Sequence, residues 1–365
     1  MISPSYQGAF QLANTYLVTG NLPRARKLFN ELYAKNPPEE MKLAIATQLE
    51  LINRLERSPS SAIATLGKKS GHSLHGYLLT GFTWDSNPRL SPSSRYIDSA
   101  IGQLELNSNY AEKADFMTYE QVALNYAYNF ENSPWAIKSS LFGHTGFYST
   151  IKELDHQFYS MRLGLAYETN RFGLGVHGIA QSLYQDYDDA LSILGGEVSG
   201  HFAINPNMIL YGTWQCTEKE YYNSYSEHAH NNRLTLGLAT QLQDMHVVNV
   251  SAGYELEDAT HRLNSYQRFF GTVRYEARLP HKFTPYVYGR IQNTDYQDED
   301  WLFADTRNDN EYELGIGVRK VLWEDLEGGL AFDVDCRYAY TDRHSTIDMY
   351  DCVRNTLSMQ FRFLF

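Results

Sequence analysis

The chain has few cysteines, a deficit of basic residues and no long apolar run. Three cysteines in 365 residues, Cys216, Cys336 and Cys352, are too few for a disulfide framework. Cys336 and Cys352 flank one predicted hairpin and could pair in an oxidising compartment, but the strand phase derived below puts them on opposite faces. Lys and Arg number 31 against 43 Asp and Glu, a net charge of -12, which argues against a nucleic-acid binder with its basic face. No apolar run approaches the roughly 18 residues of a membrane-spanning helix. This excludes a helical membrane protein and leaves a strand-built one open. Met1-Ile2-Ser3-Pro4-Ser5 shows neither the basic nor the apolar segment of a secretory leader. The chain is then either cytosolic or numbered from inside a longer precursor, and the rest of the sequence favours the second.

What is present in excess is aromatic. The chain carries 28 Tyr, 18 Phe and 5 Trp, 14% in all, yet its mean hydropathy is only -0.46. A water-soluble core does not call for so much tyrosine. Amphipathic rings suit a surface that passes from apolar to wet, as at a membrane interface. Transmembrane β-barrels combine aromatic girdles with low mean hydropathy, because every second residue faces a polar lumen.

Residues 1–57 read as a short helical segment. Leu12, Ala13, Tyr16, Gly20, Ala25, Phe29, Leu32 and Pro37 fall at the spacings of one tetratricopeptide repeat. Ala13 and Ala25 are small where two helices cross, and Tyr16 and Phe29 fill the space beside them. Gly20-Asn21 makes the turn, and Pro37 stops the second helix. A further helix is expected at 39–57, apolar at Leu43, Ala46, Leu49 and Ile52. One repeat and part of another bury too little surface to stand alone. The sequence therefore predicts either further repeats before Met1 or docking on the rest of the chain. A plain helical hairpin with no binding role is the alternative. Leu12, Asn14 and Tyr16 on the first helix are the candidate client-binding positions. A Ser-, Lys- and Gly-rich stretch, 58–73, reads as a linker.

From 74 to 365 the period changes to two. Val353, Leu357, Met359, Phe361, Phe363 and Phe365 share one face of the last stretch, and Arg354, Thr356, Ser358, Gln360 and Arg362 the other. The same alternation appears around Tyr312–Val318, Leu234–Leu242 and Tyr159–Tyr167. About fourteen such strands are expected, with short and long connections in turn. The long ones are predicted at 85–115, 148–156, 184–190, 219–231, 258–265, 294–310 and 342–350. An up-and-down barrel in an outer membrane sorts its loops in this way. An even strand number then puts both ends of the barrel, and the helices, on the periplasmic side. The expected fold is mainly β: a transmembrane antiparallel barrel of about fourteen strands behind a short α-helical segment. Ending on Phe361, Phe363 and Phe365, the last strand looks like a signal for the barrel-assembly machinery.

No constellation for catalysis emerges. His144, His177 and His201 share the polar phase, but their heights differ by about 15 Å at roughly 3.3 Å per residue, which favours solvated lumen histidines over a metal site. Segment 294–310 holds six acidic residues but lacks the spacing and turn glycine of a calcium loop, and reads as a solvated outer loop. No nucleophile elbow, zinc-binding or phosphate-loop motif occurs. No enzyme activity, cofactor or metal is expected. Candidate lumen-lining charges are Arg162, Arg233, Arg268, Arg274, Arg337, Arg354 and Arg362 with Glu197, Glu255, Asp333 and Asp335. They fit a water-filled channel and fit equally a lumen braced by ion pairs. Glycines on this face would let the sheet curve or let something else fill the space.

Helices followed by about fourteen barrel strands resemble the surface lipoprotein assembly modulators (Slam). A local match lies at Gly81-Phe82-Thr83-Trp84-Asp85-Ser86-Asn87-Pro88, similar to the aromatic-Asp-Ser-Asn segment of such barrels. Asp, Ser and Asn there can bond local backbone and end the strand. The resemblance implies an outer-membrane translocator of Gram-negative bacteria that exports a lipoprotein or secreted protein. Its partners would be outer-membrane lipids, the barrel-assembly machinery and that client. The helical part is short for the family, which bears on client capture. A porin for polysaccharide or small solutes, and a structural or adhesive surface barrel, are the competing readings.

Overall fold

The computed structural model describes residues 71–365 except 108–109, 223–226, 243–244 and 326–328, together with 22–35 and the positions Phe10, Ala13, Leu17, Lys42, Ile45, Ala46, Gln48, Leu49 and Ile52. Fourteen antiparallel strands close into a barrel in sequential order. They are β1 Gly71–Asp85, β2 Asp115–Asn129, β3 Trp135–Tyr148, β4 His156–Glu168, β5 Phe172–Gln185, β6 Asp188–Asn205 and β7 Met208–Tyr221. The second half comprises β8 Glu227–Leu242, β9 His246–Ala259, β10 Tyr266–Ala277, β11 Phe283–Asp300, β12 Asp305–Asp325, β13 Leu330–Ser345 and β14 Cys352–Leu364. Closure gives every strand a paired neighbour on both sides, the condition for backbone inside a bilayer.

Alternation sets the two faces. Leu163, Leu165, Leu234, Leu236, Leu314 and Ile316 are all exposed on the outside, while Glu197, Glu255, Asp333 and Asp335 are buried on the inside. Aromatic pairs bound the apolar belt. Trp84 lies opposite Phe116 at one end. At the other, Trp135, Tyr167 and Phe172 form a run with ring centroids 5.2 and 5.9 Å apart. Cys336 takes the outward phase and Cys352 the inward one, and both thiols are free.

The seam between β1 and β14 is the shortest ladder. It pairs nine positions, from Tyr77↔Leu364 to Asp85↔Thr356. On its other side β1 pairs with β2 over its full length, Gly71↔Asn129 to Asp85↔Asp115. Gly76 and Phe365 then exchange two backbone hydrogen bonds, of 2.7 and 3.1 Å.

The expected sorting of loop lengths holds only in part: 86–114, 149–155, 260–265 and 346–351 are longer than any connection at the other end, and three others are not. Segment 294–310 is mostly ladder, since β11 and β12 pair out to Asp300↔Asp305 around a tip at 301–304. Segment 184–190 collapses to the turn Asp186-Tyr187, whose two residues both have positive φ as a tight hairpin requires. Segment 219–231 is shortened by β7 and β8. The β1–β2 connection, 86–114, is the longest, and it carries a small hairpin of Tyr96–Ile97 with Leu104–Glu105. The physical reason is that strands continue beyond the apolar belt. There both faces are wet, so alternation stops while backbone pairing goes on. The barrel also begins at Gly71, three residues before the expected start.

In the N-terminal segment, helix α1 spans Leu22–Ala34. Ala13, Ala25, Phe29 and Leu32 are buried together with Leu17, Ile45 and Ile52. Phe10 meets Phe29 edge-on at 5.5 Å. In the expected third helix Ala46 is exposed and Ile45 takes the buried place. Leu12, Asn14, Tyr16 and linker residues 58–70 lie outside the described residues.

Candidate functional site

The inner wall is a lattice of buried ion pairs. Arg162 pairs with Glu197, which also accepts a hydrogen bond from Gln215 Nε2 at 2.8 Å. Glu255 accepts from Asn231 (2.8 Å) and the Tyr266 hydroxyl (3.0 Å), and lies 3.5 and 4.0 Å from Arg268 and Arg233. Arg274 holds Glu276 at 2.6 Å and stacks 4.0 Å over the Tyr286 ring. Arg362 pairs with Asp333 at 2.6 Å. Asp335 lies 3.4 Å from Arg319 and accepts from the Tyr286 hydroxyl at 2.6 Å. Of the predicted lumen charges only Arg337, an exposed residue, has no ion-pair partner among the described residues. Apart from Arg274–Glu276, which lies within β10, these pairs bridge strands that are adjacent or two apart, so they brace the wall and do not run across it.

Sequence reasoning missed several members of this lattice: Lys138–Glu168, Lys219–Glu257 and Arg343–Glu311. Their signal was present, because all share the polar phase. Their partners were not legible, since phase does not fix register.

Bare glycines on the inner face serve a second pattern. A Cβ on Gly317 would stand 2.4 Å from Tyr286 Cζ, and one on Gly237 would stand 2.2 Å from Tyr211 Cζ. Each ring lies across a glycine of the next strand and reaches the strand beyond. Tyr286 thus donates to Asp335, Tyr211 to Asn249 at 2.8 Å, and Tyr119, across Gly81, to Gln360 at 3.3 Å. Tyrosines of the same wall therefore fill the space the glycines leave.

The histidines have separate partners. His144 Nε2 lies 3.0 Å from His156 Nε2. His177 is buried against Arg162 at 3.0 Å, contrary to the expectation of a solvated side chain. His201 lies 3.6 Å from Glu168. A recess of about 450 Å³ on this wall is lined by Lys138, Arg162, Glu168, His177 and His201. The acidic residues of 294–310 are spread along two strands, with Asp309 held by Arg307 at 2.6 Å and Asp298 3.6 Å from Arg262.

The Asp85-Ser86-Asn87 segment does more than end a strand. Asp85 takes Arg354 in a forked pair, with Nε at 2.9–3.0 Å and a terminal nitrogen at 2.5 Å. The Ser86 hydroxyl accepts the Asn355 N–H at 2.8 Å, and Asn87 Nδ2 donates to the Val353 carbonyl at 3.2 Å. Three consecutive side chains of β1 and its exit therefore clamp β14 at one end of the seam. On the outer face Phe361 stacks on Phe332 with centroids 6.4 Å apart, and Phe363 on Phe365 at 6.3 Å.

No curated protein matches the sequence. Among solved structures, the chain is similar to OmpT of Vibrio cholerae in a loop-deleted form, with 9% identity, TM-score 0.48, and coverage of 81% of this chain and 100% of that one. It is also similar to a Pseudomonas aeruginosa FadL homologue, with 10% identity, TM-score 0.44, and 84% and 93% covered. A third is the Pseudomonas putida toluene transporter TodX, with 9% identity, TM-score 0.43, and 84% and 93% covered. Such distant likenesses carry no functional weight. The family model for the surface lipoprotein assembly modifier matches residues 75–365, from the first barrel strand to the last. With a closed fourteen-strand barrel, an apolar outer belt and this match over the whole of it, the chain belongs to the surface lipoprotein assembly modifier family of outer-membrane β-barrels.

Proposed function

We propose that this chain is an outer-membrane translocator that exports or displays a lipoprotein or secreted protein at the cell surface. The observation that carries the reading is the family match across the entire barrel. In this reading the helical segment sits at the periplasmic mouth and holds the client near the pore, with Leu12, Asn14 and Tyr16 on its binding face. Tethering would raise the client's effective concentration at the barrel without tight binding. The predicted charges would line the path, with Arg337 the one free to meet a passing chain. Phe361, Phe363 and Phe365 would be read by the barrel-assembly machinery before the seam closes.

The test is removal of residues 1–57 in cells that display a candidate client. The barrel should still insert, and surface display of the client should fall. Unchanged display would show the helices to be dispensable and would favour a porin or a structural barrel.

A further inference from the structure

The outer wall beside the seam breaks the rule of an apolar belt. Thr80 of β1, Glu120 of β2 and Thr145 of β3 lie in one row, paired as Thr80↔Glu120 and Glu120↔Thr145. All three take the outward phase, shared with Leu78, Phe82, Phe116 and Val122. Glu120 is exposed and makes no hydrogen bond or ion pair with any described residue. It lies four residues inside Phe116, about 13 Å along the strand. Charged groups on a lipid-facing wall are costly there, and those that persist mark functional sites. A second anomaly adjoins the first. The Thr145 hydroxyl oxygen is buried and has no hydrogen-bond partner.

These groups border a recess of about 460 Å³ that straddles the seam. Its apolar side includes Leu78, Phe361 and Phe363, and its polar side is Thr80, Glu120 and Thr145. Gly143 leaves this part of the recess bare, since a Cβ there would press on Val122 Cγ1 at 3.2 Å and reach the Tyr159 ring at 3.6 Å. An apolar slot with a few convergent polar groups is the form of a ligand site. Here it opens towards the bilayer, so its ligand is amphipathic and arrives through the lipid.

We infer that the seam-side recess binds the acylated N-terminal cysteine of the client lipoprotein. This rests on the function proposed above. The chemistry matches part by part. Acyl chains lie along Leu78, Phe361 and Phe363. The amide N–H of the acylated cysteine, a donor that would otherwise go unmatched in the apolar layer, meets the Glu120 carboxyl. The Thr80 and Thr145 hydroxyls donate to the ester carbonyls. A polypeptide passing through the lumen could thus keep its anchor in lipid against the wall.

The test uses the full chain in phosphatidylcholine nanodiscs with a photo-crosslinking residue at Val122. The probe is a fluorescent triacylated cysteinyl-lysine peptide. Its unacylated twin and an excess of phosphatidylethanolamine serve as controls. The wild-type recess should crosslink the lipopeptide and not the twin. Glu120→Leu should lower that yield roughly tenfold, the worth of one strong polar contact, and Glu120→Gln should restore part of it. Gly143→Leu, which fills the recess without touching Glu120, should lower it similarly. Equal capture of the unacylated peptide, full competition by phosphatidylethanolamine, or an unchanged yield in Glu120→Leu would each overturn the inference. Heat-modifiable migration checks that each variant is folded. Failure of the helix deletion to alter display in cells would count against the proposed function and leave this binding measurement standing on its own.

Discussion

Asp85 shows how much one side chain can hold in this barrel. Its carboxylate is almost wholly buried and meets Arg354 across the seam, 269 residues away in sequence. Removing one partner of such a pair strands the other. We expect Asp85→Ala to destabilise the folded barrel by about 3 kcal/mol, the lower end of the roughly 3–5 kcal/mol for breaking a buried pair, because Arg354 keeps some solvent contact. The midpoint of urea unfolding in detergent would report it. An unchanged midpoint would mean that the seam does not depend on the clamp. Gly317 makes a second, steric case. Any side chain there meets the Tyr286 ring, so Gly317→Ala should cost about 1–3 kcal/mol. The cost should shrink, though not vanish, when Tyr286→Ala is added, because the ring clash goes while a Cβ would still stand 2.8 Å from the Cys336 carbonyl oxygen. Additive effects in that double variant would show that the ring and the glycine do not compete for space. The polar phase of Arg354 and the glycine at 317 are both plain in the sequence. That one pairs with Asp85 and the other lies under Tyr286 is a matter of register.

At the scale of the element, the strands were legible where lipid lies on one side and polar groups on the other. β14 is the clearest, with Phe361, Phe363 and Phe365 outward and Arg354 and Arg362 inward. β11 and β12 were read too short because their outer halves, Asn293–Asp300 and Asp305–Asn310, have no apolar face. The last strand also supports an assembly prediction. Phe365→Ser keeps the two backbone bonds to Gly76 and removes only the ring, whereas deleting Phe365 removes both. If the ring is recognised during assembly, the substitution alone should lower the amount of barrel in the outer membrane severalfold. Wild-type insertion of the substituted chain, beside poor insertion of the deletion, would assign the role to seam closure instead.

For the whole molecule, a closed barrel with an apolar belt should extract only in detergent and migrate differently on gels before and after boiling. Recovery as a soluble monomer without detergent would contradict the fold. Sidedness is a separate expectation. Cysteines placed at Ser94 and Trp301, at the end remote from Phe365, should react with an impermeant maleimide on intact cells. One placed at Asn170, at the end shared with Phe365, should not. The opposite pattern would invert the barrel and put the helices outside. Composition and period two were enough to determine a lipid-facing barrel of this size, because each strand must satisfy lipid on one face and water on the other, locally and at every turn of the pattern. They did not determine where strands end beyond the bilayer, which charge meets which, or that Asp85-Ser86-Asn87 clamps the first strand to the last. Those depend on register and closure, and residues hundreds of positions apart become neighbours only when the tertiary structure has formed.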